Sequence, residues 1–125
     1  MAVLIRYLPF LRLRHDKKLR RTEVVQGMSG GAARGYARSI HNVGTCYMDG
    51  LGVEKDYAEA LKWYRRAAEM GFASSQVNMG AFYLNGYGVE KDEAEALKWY
   101  RKAATNGMDK VPEVMEAIRK LEKRR

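Results

Sequence analysis

The sequence predicts an all-α fold, a short α/α solenoid built from helical hairpins, and three observations carry that prediction. "GLGVEKDYAEALKWYRRAAEMG", from Gly50 to Gly71, recurs as "GYGVEKDEAEALKWYRKAATNG" from Gly86 to Gly107. Over the whole unit, residues 37–72 and 73–108 share 22 of 36 letters without a gap. Within each copy, apolar residues fall at helical spacing and glycines stand where the chain must turn. A chain of 125 residues with 46% apolar and 30% charged residues has the composition of one folded unit rather than of a disordered segment.

The formal charge of +8 is uneven. Residues 1–21 carry seven Lys or Arg against Asp16, a net +6. Residues 37–107 carry nine basic and nine acidic residues, a net of zero. The basic character therefore belongs to the tails, and a polyanion would be met there and not by the body of the fold. In "MAVLIRYLPFLRLRH" Arg6 and Arg12 interrupt the apolar run before it reaches the length of a signal-peptide core or a membrane span. Residues 1–21 read as a basic leader, loosely attached to the fold. A presequence, a membrane-surface segment and a nucleic-acid arm are its other readings. With no signal peptide or span recognised, the cytoplasm is the expected compartment.

Residues 22–36 come next. Set thirty-six positions upstream of Ala67–Ala73, "GAARGYA" keeps an alanine and a glycine of the second helix of a repeat, so 22–36 is expected to be a degenerate preceding helix. In the first full copy, Ala37, Ile40, Gly44 and Tyr47 lie on one face of a helix over 37–48. "DGLGVEKD" ends it, with glycines at 50 and 52 free to take positive φ. Asp56 and Asp92 stand as N-caps, with Glu59 and Glu95 three residues on completing the acidic half of a capping box. In the second helix of the copy, Leu61, Tyr64 and Ala68 line one face beside Ala60, Trp63 and Ala67, and Gly71 closes it. Past residue 108, Val114, Ile118 and Leu121 share a face and Pro112 suits a first turn, so 109–125 is expected to be a capping helix.

The order Ala37, Gly44, Tyr47, Gly50, Gly52, Val53, Asp56, Ala60, Trp63, Tyr64, Ala67, Ala68 and Gly71 resembles the Sel-one-like repeat, a relative of the tetratricopeptide repeat. The second copy matches it at 73, 80, 83, 86, 88, 89, 92, 96, 99, 100, 103, 104 and 107. Val43 and Met79 depart from it, at a place where Leu is more common. The resemblance covers residues 37–107 and implies a right-handed superhelix. It also implies a scaffold or adaptor that binds a protein or peptide on the side lined by the first helix of each repeat. Self-association that lengthens the solenoid is a further reading. The alternative function is nucleic-acid or anionic membrane-surface binding through the leader.

No catalytic residue, cofactor or metal ligand is expected. His15, His41 and Cys46 are the candidates for nucleophilic or acid–base work, and on one helix His41 and Cys46 stand about 140° apart. Two histidines and one cysteine do not make a four-ligand site. The Gly-x-Gly stretches come after helices and lack a phosphate-loop lysine, so they read as turns. One cysteine forms no intrachain disulfide, and a buried side chain is the expected role for Cys46. Trp63-Tyr64 and Trp99-Tyr100 read as core, because they are in register with alanines. Removing the motif positions from the first helix of each copy leaves Arg38, His41, Thr45 and Met48, and in the second copy Ser74, Val77, Ala81 and Leu84. These eight differ between copies while the core letters repeat, which makes them the expected partner-binding surface.

Overall fold

The computed structural model describes residues 30–124, with side chains from residue 34. The chain divides into two units, Met1–Ala33 and Arg34–Arg125, and the second holds the repeats. Five α-helices are present among the described residues: α1 Gly30–Asp49, α2 Tyr57–Glu69, α3 Ala73–Asn85, α4 Glu93–Thr105 and α5 Pro112–Lys123. A 3₁₀ turn over Met108–Lys110 precedes α5. No strand occurs among them. The repeats are the hairpins α1–α2 and α3–α4, with α5 closing the end. Residues 1–21 and 22–29, the expected leader and the start of the expected degenerate helix, lie outside the described residues.

Local chemistry sets the hairpins. Gly86 ends α3 with φ 74° and its N–H donates to the Phe82 carbonyl at 2.8 Å, a left-handed cap that a side chain would strain. Asp56 and Asp92 cap α2 and α4, each accepting from the N–H of the Glu three residues on, at 3.1 and 3.0 Å. The expected capping box is only half made. The Asp56 N–H, which the Glu59 carboxylate would have satisfied, instead donates to the Tyr47 carbonyl at 2.9 Å. Asp92 does the same to Tyr83, also at 2.9 Å. The glutamates, released from that task, pair with Lys62 and Lys98.

Each hairpin closes on a glycine. A Cβ added to Gly44 would lie 2.9 Å from Tyr64 Cδ1, and one added to Gly80 would lie 2.8 Å from Tyr100 Cε2. Absence of a side chain lets the tyrosine ring lie against the backbone of the first helix, which offsets the propensity cost of a mid-helix glycine. The tyrosines take this place and the neighbouring tryptophans do not.

Two apolar clusters join the layers. In the first, Ala60, Leu61, Tyr64 and Ala68 of α2 meet Met79 and Phe82 of α3 and Trp99 of α4. In the second, Ala96, Leu97 and Tyr100 of α4 meet Val114, Ile118 and Leu121 of α5. At the turn edge, Tyr57 stacks on Tyr87 at 4.8 Å, and Phe82 meets both rings edge-on. Glu93 occupies the counterpart of Tyr57 and pairs with Arg124, at the end of α5. Arg65 donates to the Tyr83 hydroxyl at 2.7 Å, and its counterpart Arg101 pairs at 2.6 Å with Glu122 of α5. The closing helix thus takes over, with charges, contacts that a third repeat would have made.

Two expectations are corrected. Trp99 is 4% exposed, but Trp63 is only half-buried. Trp99 has α2 to cover it, whereas the matching neighbours of Trp63, thirty-six positions earlier, fall before residue 34, where side chains are not described. The second concerns the expected separate helices over 22–36 and from residue 37, which show no break between residues 30 and 49. Gly71 has φ 89°, while its counterpart Gly35 lies inside α1, which begins at Gly30 and so includes the last part of the expected separate helix. Ala32 and Ala33 propagate a helix readily, and a glycine permits a turn without compelling one.

Candidate interaction surface

The eight residues singled out from the sequence lie on α1 and α3, four on each. On α1 they span an arc, because positions 38 and 45 differ by about 20° in azimuth while 41 and 48 lie about 60–80° round from 38. Arg38 is exposed, with its guanidinium 5.8 Å from the centre of the Phe72 ring. His41 is half-buried between the rings of Tyr64 and Phe72, at 5.0 and 5.2 Å, and its Nδ1 lies 2.7 Å from the Ser75 hydroxyl. Burial holds the His41 imidazole below its ordinary pKa, and the Arg38 charge adds to the effect. His41 is therefore neutral at pH 7.

Thr45 and Met48 meet Tyr64. The Thr45 hydroxyl donates to the His41 carbonyl at 3.3 Å and lies 2.8 Å from the Tyr64 hydroxyl. Either hydroxyl can donate in that pair. The Met48 sulfur lies 3.8 Å from the same hydroxyl. Burial raises the Tyr64 pKa, opposed by the Thr45 hydrogen bond. On α3, Ser74, Val77, Ala81 and Leu84 are all half-buried, and Val77 and Leu84 pack against the second cluster. The structure thus brings His41, Thr45 and Met48 together around one tyrosine and turns Val77 and Leu84 toward the next layer.

The exposed positions of the same helices include Asn42 and Asp49 on α1 and Asn85 on α3, with Asn78 half-buried. Sequence reasoning passes over Asn42 and Asn78, because an identical letter in both copies is taken to mark the core. The exposed side of α1, through Arg38, Asn42 and Asp49, is centred about 60° round from the middle of the expected strip. A usable signal existed in Tyr64 itself. A tyrosine, where phenylalanine would fill the same space, needs a partner for its hydroxyl, and Thr45 supplies one.

A second polar feature joins the repeats on the edge where α2 and α4 end. Gln76, buried, donates from Nε2 to the Ala68 carbonyl at 3.0 Å and accepts from Asn106 Nδ2 at 2.9 Å. These two side chains, with Glu69, Gly71, Lys102 and Thr105, line a shallow cleft. The first copy has Ile40 and Met70 in the same places, so this pair is particular to the second. Among the described residues no cluster of His, Cys, Asp and Glu is placed to hold a metal, and no helix is long and apolar enough to cross a membrane.

The Sel1 repeat model matches residues 37–72 and 73–108, the two hairpins just described and more than half of the chain. The chain belongs to the Sel1 repeat family. Solved structures agree with that membership. A protective antigen of uropathogenic Escherichia coli with an SLR fold aligns with 45% identity and a TM-score of 0.58, over 62% of this chain and 17% of its own. A Sel1 repeat protein from Oxalobacter formigenes aligns with 40% identity and a TM-score of 0.56, over 78% and 40%. Cysteine-rich protein B of Helicobacter pylori aligns with 25% identity and a TM-score of 0.56, over 78% and 73%. The chain thus spans less than half the length of the first two. No curated protein sequence matches it. Sel1 repeat proteins are generally protein–protein interaction scaffolds, and the fold seen here, two hairpins and a closing helix, is a short solenoid of that type.

Proposed function

We propose that this Sel1 repeat chain is an adaptor that binds a peptide or a small domain on the surface formed by α1 and α3. The observation that carries the reading is the contrast between copies. Leu61, Trp63 and Tyr64 repeat as Leu97, Trp99 and Tyr100, whereas Arg38, His41, Thr45 and Met48 are replaced by Ser74, Val77, Ala81 and Leu84. Core positions are held by packing, and exposed positions of a repeat are free to specialise for a partner. Of the eight, Arg38, Thr45, Ser74 and Ala81 lie on or nearest the exposed side, and Asn42, Asp49 and Asn78 extend that patch. Two repeats offer a short surface, which suits an extended peptide or the edge of a small domain.

The leader supports a second reading. Its net +6 over residues 1–21 is the footprint of polyanion binding to nucleic acid or to an anionic membrane surface. Peptide selection on the full chain, followed by binding assays on the selected peptides at low and high salt, separates the two. Adaptor binding is lost in surface variants of α1 and α3 and survives both salt and removal of residues 1–21. Leader binding falls steeply with salt and disappears with those residues.

A further inference from the structure

Two of the chain's four asparagines stand directly before a glycine, as Asn85-Gly86 and Asn106-Gly107. An Asn-Gly step can react with itself. The glycine nitrogen, its proton removed by hydroxide, attacks the asparagine side-chain carbonyl carbon. A C–N bond forms, the bond to the side-chain nitrogen breaks, and ammonia leaves. Water then opens the five-membered imide at one carbonyl or the other, giving isoaspartate or aspartate. Glycine favours the attack because no side chain hinders its nitrogen or its backbone rotation. Asn42 and Asn78 precede Val43 and Met79, whose side chains obstruct it.

The fold separates the two steps. Asn85 is the last residue of α3, and its Nδ2 donates to the Ala81 carbonyl at 2.9 Å. The Gly86 nitrogen that would attack donates to the Phe82 carbonyl at 2.8 Å. The turn beyond is tied by Tyr87 N–H to the same carbonyl at 3.0 Å and by Asp92 N–H to the Tyr83 carbonyl at 2.9 Å. Cyclisation there has to break the cap of α3. Asn106 lies past the end of α4, exposed, with φ −97° and ψ 30°. The Gly107 N–H reaches the Ala104 carbonyl only at 3.3 Å, beyond the usual range for such a bond. Of the two glycine nitrogens, that of Gly107 is the less protected.

Asn106 also holds the repeat junction. Its Nδ2 donates at 2.9 Å to Oε1 of Gln76, which is 4% exposed and whose own Nε2 donates to the Ala68 carbonyl at 3.0 Å. One buried amide thereby joins α2, α3 and the end of α4. An aspartate or isoaspartate at position 106 has no proton to donate at neutral pH, and sets a carboxylate against the Gln76 carbonyl oxygen. Gln76 then either faces it acceptor to acceptor or turns over and abandons Ala68. On the rim of the same cleft Glu69 adds to the repulsion and Lys102 opposes it. We propose that Asn106 is a self-modification site, at which intramolecular deamidation undoes the Asn106–Gln76 contact and irreversibly loosens the junction between the repeats. The site stands apart from the α1–α3 surface, and its test involves no partner.

The full chain is held at mildly alkaline pH and followed by proteolysis and mass spectrometry, where deamidation shows as the gain in mass from exchanging an amino group for a hydroxyl. The Asn106 peptide is expected to convert at least about fivefold faster than the Asn85 peptide, whose nitrogen must first leave its hydrogen bond. In urea, with the fold removed, the two rates converge. Equal rates in the folded chain, or faster conversion at Asn85, overturn the proposal. The loosening is read from Asn106→Asp, expected to lower the folding equilibrium constant about three- to tenfold, and to lower it less in a Gln76→Ile background, where the contact is already gone. Equal loss in both backgrounds contradicts it. Hydrogen exchange at the Gln76 side-chain amide gives a second readout that needs no Gln76 variant: faster exchange in Asn106→Asp than in the parent is expected, and an unchanged rate overturns the loosening.

Discussion

Gly80 of α3 lies flat against the ring of Tyr100 in α4: a methyl group on its α-carbon would stand 2.8 Å from Cε2 and 2.9 Å from Cδ2 and Cζ. Real side chains do not approach so closely, and the ring is held by Val114 and Ile118 behind it. On helix propensity alone, Gly80→Ala is worth about 1 kcal/mol of stabilisation. The close contact reverses the sign. Denaturant unfolding is expected to show Gly80→Leu destabilised by about 1–3 kcal/mol, the cost of overpacking, with Gly80→Ala destabilised less. Gly35 is the control. It is helical, has no atom of the described residues within 4 Å of a Cβ and no positive φ, so Gly35→Ala gains about 0.5–1 kcal/mol.

The caps give a second contrast. Asp56→Ala and Asp92→Ala each remove an acceptor from a helix start and are expected to cost about 0.5–2 kcal/mol. Glu59→Ala breaks only an exposed pair with Lys62 at 3.3 Å and is expected to lie within about 0.5 kcal/mol of the parent. Were the box reciprocal, Glu59→Ala would cost as much as Asp56→Ala. Chemical denaturation of the three variants decides it.

Much of the fold was legible because its determinants are local. Glycines 50, 52, 86 and 88 take the positive φ their spacing suggests, the aspartates cap, and Gly44 and Gly80 each receive a ring. The features that were not legible depend on neighbours supplied by another layer. Trp63 and Trp99 sit in identical local sequence, yet one is half-buried and the other covered, because burial comes from the adjacent repeat. The break expected between a helix over 22–36 and one from residue 37 is missing for a related reason: a glycine permits a turn without compelling one. On α1, the four residues chosen from the sequence sit a fraction of a turn from the side that the structure leaves exposed. Asn42 shows that a letter repeated between copies does not always mark the core.

His41 makes the repeat junction sensitive to pH. Its folded-state pKa lies below the unfolded value of about 6.5, so below that pH the unfolded chain binds the extra proton first. Its contribution to stability is complete above about pH 6.5 and is lost as pH falls toward the lowered folded pKa. Among the groups set against it, Tyr64 stays neutral across this window, and Arg38 is the cation that opposes protonation. Melting temperature measured from pH 7.5 to 5 is expected to decline less in His41→Gln than in the parent. Equal slopes would place the titration elsewhere.

Tyr64 and Tyr100 have the same ring packing but different surroundings for the hydroxyl. Thr45 stands 2.8 Å from the first, while Ala81 and Leu84 take the places of Thr45 and Met48 beside the second. Tyr64→Phe is expected to cost about 0.5–1.5 kcal/mol, the net worth of one hydrogen bond, and Tyr100→Phe to be close to neutral. Paired unfolding curves measure the difference directly.

The adaptor surface is tested most directly by Ser74→Arg combined with Ala81→Arg, assayed against peptides selected on the full chain. Circular dichroism and melting temperature first confirm that the variant is folded. The double variant is expected to lose peptide binding, while a chain lacking residues 1–21 keeps it at both low and high salt. Binding that persists in the folded double variant but vanishes with residues 1–21 would contradict an adaptor role for the α1–α3 surface.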